Sequence, residues 1–181
     1  NPDVDLTTMF VKVGAETLTV TLDFSSPWGD VLLVVILEAN SDAAGAGQDA
    51  FEQPIFYEHD LKPDYVFTTK YSDNDYADLR RWRGDAYEYW HLANAGWISE
   101  GDTEKNAISM VTKTDDQVIF NIPLVAVGQF APGDTIRMEA YVSQETAEAK
   151  YNALDSTPHD VTHDMEPPFG EWWQTAHDTI C

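Results

Sequence analysis

Residues 16–24, ETLTVTLDF, constrain the fold of this chain more than any other stretch. Leu18, Val20, Leu22 and Phe24 alternate with Thr and Asp. A period of two places the apolar set on one face of a strand and the polar set on the other. The same alternation recurs in Tyr65, Phe67 and Thr69, in Val118, Phe120 and Ile122, and in Ile136, Met138, Ala140 and Val142. The run VLLVVIL at 31–37 does not alternate and reads as a central strand covered on both faces. Residues 7–13 and 107–112 are further candidate strands.

Polar turns separate these segments: SSPWGD at 25–30, TKTDDQ at 112–117 and APGD at 131–134. Many strands joined by polar turns predict an all-β chain, an antiparallel β-sandwich of immunoglobulin-like or jelly-roll-like form, with residues 1–181 as one domain. Short helices are expected at 123–129, with Pro123 in the first turn, and at 145–154. Two long irregular stretches remain, 39–53 and 155–181. Long loops in compact domains commonly carry function. There is no repeat, heptad or βαβ alternation.

Charge narrows the partners. The chain has 181 residues, 32 acidic against 10 basic, and a net charge of -22. Such a field repels phosphate backbones and anionic membrane surfaces, which argues against nucleic-acid binding. It fits cation binding, solubility outside a cell, or life in high salt, and the low Lys count leans toward the last. Cys181 is the single cysteine. It excludes an internal disulfide and is given no role. No apolar run is long enough to span a bilayer. The opening NPDVDLT has no signal-peptide pattern and reads as the start of a mature protein or an excised domain.

The stretch RRWRGDAYEYWHLANAGW, residues 80–97, concentrates three Trp, two Tyr and three of the chain's four Arg. Sugar rings stack their C–H faces on flat aromatics, and their hydroxyls take Arg, Asn, Asp and Glu. Trp82, Tyr87, Tyr89, Trp90 and Trp97 are the candidates here, joined by Trp172 and Trp173 near the end. The competing reading is packing. A strand points Tyr87 and Tyr89 to one face and Trp90 to the other, and one face of a sandwich strand is buried.

Carboxylates offer a second chemistry. Asp3 and Asp5 stand at the entry, and Asp42 and Asp49 flank the Gly-rich loop after the central strand. Calcium takes six to eight oxygens from such groups. Plain surface acid is the alternative in a chain this acidic. DNDYAD at 73–78 lacks the Gly and the closing Glu of an EF-hand loop, so that motif is rejected. His159 and His163 in HDVTH are four apart, but Pro158 precedes them and Pro167 and Pro168 follow, which speaks against a zinc helix. No G-x-S-x-G, P-loop or Cys-His pairing is present.

The order of features in PDVDLTTMFVKVGAETLTVTLDFSSPWGDVLLVVILEAN, followed by KPDYVF at 62–67, DSTPHD at 155–160, GEWWQT and DTI, resembles a known group. It is that of the β-sandwich modules appended to extracellular amylolytic enzymes of the pullulanase, amylopullulanase and glucodextranase type. Those modules are similar to family 9 carbohydrate-binding modules and DOMON domains. The region before Asn1 that often carries further Asp and Gly is absent, and 145–154 and 158–170 look like insertions.

The resemblance implies a non-catalytic module that binds a polysaccharide, an α-glucan such as starch or pullulan, on a secreted or cell-surface glycoside hydrolase. Two aromatic rings would clamp the sugar, Trp90 or Trp97 from mid-chain and Trp172 or Trp173 from the end. Arg81, Arg83, Asn94 and Glu171 would supply polar contacts. Tyr89 joins them from the aromatic run. A structural calcium would fall to Asp3, Asp5, Asp42 and Asp49. Two other readings stay open: a docking module that holds an enzyme to a surface layer or another domain, and a DOMON-like haem or sugar domain.

Overall fold

The structure, a computed structural model, describes residues 5–25, 31–39, 44–51, 57, 62–70, 76–99, 107–128, 130, 134–143, 153–157 and 177–179. Strands form where the period of two predicts them. β1 (Leu6–Val13) and β2 (Thr17–Phe24) make a hairpin, and β2 buries Leu18, Val20, Leu22 and Phe24 while its Thr and Asp residues stay half-exposed. β3 (Leu32–Glu38) is buried at every position, as a run without alternation requires. β4 (Tyr65–Lys70) matches the second alternating stretch.

The aromatic run folds as a meander of β5 (Ala77–Trp82), β6 (Tyr87–His91) and β7 (Gly96–Ser99). The β5–β6 turn is closed by Arg83 N–H donating to the Ala86 carbonyl at 2.9 Å. Gly84 takes φ +104° there, a conformation only glycine adopts without strain. A 3-10 turn at Leu92–Asn94 joins β6 to β7. Then come β8 (Val111–Lys113), β9 (Gln117–Pro123), a short helix α1 (Leu124–Val127) and β10 (Thr135–Ser143). β11 (Ala153–Thr157) and β12 (His177–Thr179) complete the described strands.

Three expectations need correction. Residues 107–112 were to be a strand, but Ile108–Met110 forms a 3-10 turn and β8 starts at Val111. The helix over 145–154 does not end as one, because Ala153 and Leu154 belong to β11, where Ala153 pairs with Ser143 of β10 and Leu154 falls at a register shift; residues 145–152 lie outside the described residues. The helix propensity of Ala and Leu yields there to pairing along the edge of β10. The stretch 39–53 is not simply irregular: Gln48 and Tyr57 each form a β-bridge, and residues around them pack on the large sheet. The helix at 123–129 is present as α1.

The fold is an antiparallel β-sandwich. The smaller sheet runs β1-β2-β9-β8, and the larger runs β10-β3-β4-β5-β6-β7, with β11 and β12 sharing the outer edge of β10. Leu18, Val20, Leu22, Val118, Phe120 and Ile122 of the first meet Leu33, Val35, Leu37, Phe67, Leu79, Trp90 and Met138 of the second in one apolar core. Each such side chain contributes about 1.5–3 kcal/mol by leaving water.

The other face of the large sheet is also covered. Leu32, Val34, Ile36, Val66 and Tyr141 pack beneath Ala46, Ala50, Phe51 and Tyr57 of the segment that links β3 to β4. That roof sits close. A Cβ on Gly45 would lie 2.2 Å from the Lys62 carbonyl oxygen. Of eight buried polar residues described, seven belong to this roofed side: Glu38, Asp49, Thr68, Asp78, Arg80, Glu139 and Ser143. Only Thr69 shares the inner face with Phe67.

The two sheets differ in width, and this positions the candidate site. The smaller sheet ends at β8, beside which Ala107 N–H donates to Ala77 of β5 at 3.1 Å. β6 and β7 continue past it. Among the described residues no strand of the smaller sheet lies beyond β8, so the inner face of the large sheet overhangs at the β7 edge, with Trp90 still buried in the core and Trp97 part-buried against it.

Candidate functional site: the overhang of the large sheet

Alternation sorts the aromatic run onto two faces. Arg80, Trp82, Tyr87 and Tyr89 point to the roofed side; Arg81, Glu88, Trp90 and Trp97 point to the inner side. Register aligns Tyr65, Arg81 and Glu88 as one row across β4, β5 and β6. Trp97, paired with Trp90, brings its ring to that row. Its centroid lies 6.0 Å from Tyr65, and the Arg81 guanidinium carbon lies 4.6 Å over it.

The row is held rigid by its own contacts. Arg81 Nε donates to Glu88 Oε2 at 2.7 Å, and a terminal nitrogen reaches the same oxygen at 2.6 Å. Arg83 Nε approaches that oxygen at 3.6 Å. The side chains of Arg81 and Glu88 are 29% and 25% exposed, and that of Arg83 is 57% exposed. Burial, with the Asp64 carboxylate nearby, raises the Tyr65 hydroxyl above its ordinary value, so at neutral pH it is a neutral donor and acceptor. The two part-buried rings are tilted 35° to each other, with the Arg81 guanidinium over one side of Trp97, so the apolar surface left to a ligand is small and bordered by donors and acceptors.

The sequence-predicted residues separate into three groups. Trp97, Arg81 and Arg83 meet at the overhang. Asn94 is exposed in the turn between β6 and β7. Trp90 and Tyr89 are 3% and 2% exposed, so their rings are packed rather than presented. Trp90 stands edge-on to Trp97 at 5.3 Å in the main core, and Tyr89 lies under Arg80 at 4.8 Å on the roofed side. Glu171, Trp172 and Trp173 lie outside the described residues; β12, the described segment that follows them, pairs with β10 at the opposite edge of the large sheet from β7. Sequence reasoning missed Tyr65 and Glu88. Their signal is register: they flank Arg81 on neighbouring strands, which no local pattern reveals.

Of the carboxylates proposed for calcium, Asp5 and Asp49 are among the described residues. Asp3 and Asp42 lie outside the described residues, as do His159 and His163. Asp5 is exposed beside the smaller sheet and accepts from the Ser25 hydroxyl at 2.7 Å. Asp49 is 3% exposed on the roofed side, where it accepts from the Tyr141 hydroxyl and from Phe51 N–H at 2.8 Å. The Tyr141 hydroxyl in turn lies 2.7 Å from that of Tyr57. Asp49 and Asp5 thus belong to different layers and do not fit one cation site. Among the described residues no three His, Cys, Asp or Glu side chains stand grouped for a metal.

The roofed side holds a second Arg–carboxylate–aromatic set. Arg80 donates to Asp78 at 2.8 Å and to the Ala50 carbonyl at 2.6 Å, and lies 4.1 Å over Phe51. Burial alone would lower the Arg80 value, but Asp78 outweighs it and the net shift is upward. This set is enclosed, at 5% exposure for Arg80 and 4% for Asp78. No family model matches the chain, and no curated protein or solved structure matches it.

Proposed function

We propose that this chain is a non-catalytic carbohydrate-binding module and that the overhang of the large sheet is its sugar platform. One observation carries the reading: Trp97 and Tyr65, part-buried against the core with ring centroids 6.0 Å apart, share a surface with the Arg81–Glu88 pair. Flat rings take a pyranose face, on the order of 1 kcal/mol per ring beyond area burial. The guanidinium and carboxylate read vicinal hydroxyls, one donating and one accepting. Because Arg81 is already braced on Trp97 and Glu88, little side-chain freedom is lost on binding.

The resemblance to modules of amylolytic enzymes supplies the first ligand to try, an α-glucan, and the setting, a secreted or cell-surface hydrolase. The platform differs from the two-ring clamp that resemblance implies. Its rings, Tyr65 and Trp97, stand on β4 and β7, and Trp172 and Trp173, the C-terminal rings of that clamp, lie outside the described residues. Trp fluorescence titrated with maltooligosaccharides tests the reading, with and without EDTA for the calcium expectation. A saturable shift absent in Trp97→Ala supports the platform. No shift with any glycan would move the reading to a docking module whose partner covers the same rings.

A further inference from the structure

We propose that the ligand of the overhang carries a carboxylate, as a uronate residue does, and that Arg83 is the group that reads it. This rests on the sugar-platform reading and names its substrate class. The platform's spare hydrogen-bonding groups are mostly donors. Arg81 commits Nε and one terminal nitrogen to Glu88 Oε2, which leaves the other terminal nitrogen open. Arg83 meets Glu88 only at 3.6 Å through Nε, so both arms of its fork face solvent. The Tyr65 hydroxyl and the Trp97 indole N–H have no partner among the described residues. Against these donors, the spare acceptors among the described residues are Glu88 Oε1 and the Tyr65 hydroxyl oxygen, which donates as well. Asp64, the other acid near Tyr65, accepts from Ala39 N–H at 3.0 Å.

A hydroxyl both donates and accepts, so a neutral sugar suits a site with balanced groups. A carboxylate only accepts, and the planar fork of Arg matches it through two parallel bonds. A donor-rich platform is complementary to the second. The placement of basic residues agrees. Three of four Arg fall within residues 80–83 of a chain whose net charge is -22, and two of them, Arg81 and Arg83, reach this one surface.

The overall charge gives the binding an unusual salt dependence. A uronate meets repulsion from the whole acidic chain at long range and attraction from Arg83 at contact. The Debye length falls from about 10 Å at 0.1 M salt to about 3 Å at 1 M, which removes the long-range part first. Affinity for the uronate is therefore expected to rise with salt, the opposite of a simple contact between opposite charges.

The experiment titrates Trp fluorescence with trigalacturonate, its methyl ester, maltotriose and a triglutamate peptide, on the parent protein and Arg83→Gln. Trigalacturonate is expected to bind about tenfold more tightly than the ester, as charge-assisted bonds are stronger than neutral ones. Arg83→Gln is expected to bring the acid down to the affinity of the ester, and salt to widen the gap in the parent protein. An ester that binds as tightly as the acid, or a preference that survives Arg83→Gln, overturns the inference while the platform stands. Triglutamate binding equal to trigalacturonate also overturns it, since charge without a ring would suffice. If no sugar binds at all, the platform reading fails with it.

Discussion

Arg80 and Arg81 are neighbours in β5 and carry the same chemistry to opposite faces. Each pairs with a carboxylate and lies over an aromatic ring: Arg80 with Asp78 over Phe51 and Tyr89, Arg81 with Glu88 over Trp97. The first set is closed beneath the β3–β4 segment, and the second lies where the smaller sheet has run out. Chemistry alone therefore does not make a site. The same trio is a structural clamp when roofed, because nothing can approach it and an unmatched charge there is costly. Left open at an edge, it is a surface that a ligand can share with water.

High pH is expected to break the roofed side with the largest effect. Burial first, and the Asp49 or Asp78 carboxylate next, holds the hydroxyls of Tyr57, Tyr141, Tyr87 and Tyr76 above their ordinary value. A raised acid is favoured in its neutral form by the folded state. Its stabilisation is complete below the unfolded value near 10 and is lost as pH rises through and beyond it. Each hydroxyl then removes about 1.4 kcal/mol per pH unit, so four remove on the order of 5 kcal/mol at pH 11. Urea midpoints at about pH 8 and about pH 11 measure this. An unchanged midpoint would mean that water reaches these hydroxyls and that the roof does not seal.

Truncating the two arginines compares the faces directly. Arg80→Ala strands the Asp78 carboxylate in a dry environment and is expected to cost about 3–5 kcal/mol. Arg81→Ala removes a partly exposed pair and is expected to cost about 1 kcal/mol or less. Denaturant unfolding of both variants decides it, and equal losses would mean that the two pairs are equally shielded from water.

Gly45→Ala probes how the roof is seated. Its Cβ would meet the Lys62 carbonyl oxygen at 2.2 Å, which forces backbone to move. A loss of about 1–3 kcal/mol is expected, as for other overpacked positions. Hydrogen exchange should show the amides of Ala46 and Tyr57 losing protection before those of β3; loss in the reverse order would place the strain elsewhere.

Salt gives the smallest and sharpest contrast. The Arg81–Glu88 pair is open to screening and Arg80–Asp78 is not. At 1 M salt, with a Debye length of about 3 Å, the Arg81→Ala penalty is expected to shrink toward zero while that of Arg80→Ala persists. A parallel decline of both would show that solvent reaches Arg80.

Much of the sandwich was legible because strand formation follows a local period. Leu18 to Phe24 and Ile136 to Val142 announce their inward faces in sequence, and the unbroken run at 32–37 announces a strand covered twice. β11 escaped because its residues carry no alternation and are strand only through the pairing of that segment with β10. The aromatic run was legible as a mixture of packing and surface, but not in its assignment. Trp90 and Trp97 look alike in sequence, yet one is 3% exposed and the other only part-buried.

By itself, then, the sequence determined the periodicity, the all-β class, the doubly covered centre and the concentration of Arg and aromatic residues at 80–97. These depend on side chains a few positions apart. Only the tertiary structure decided that Arg80 is enclosed and Arg81 open, that Tyr65 and Glu88 flank Arg81, and that Asp49 lies among tyrosines. The physical reason is that burial is set by what packs across from a residue. Here that is a segment 30 residues away over Arg80, as Ala50 shows, and the end of a narrower sheet beside Arg81.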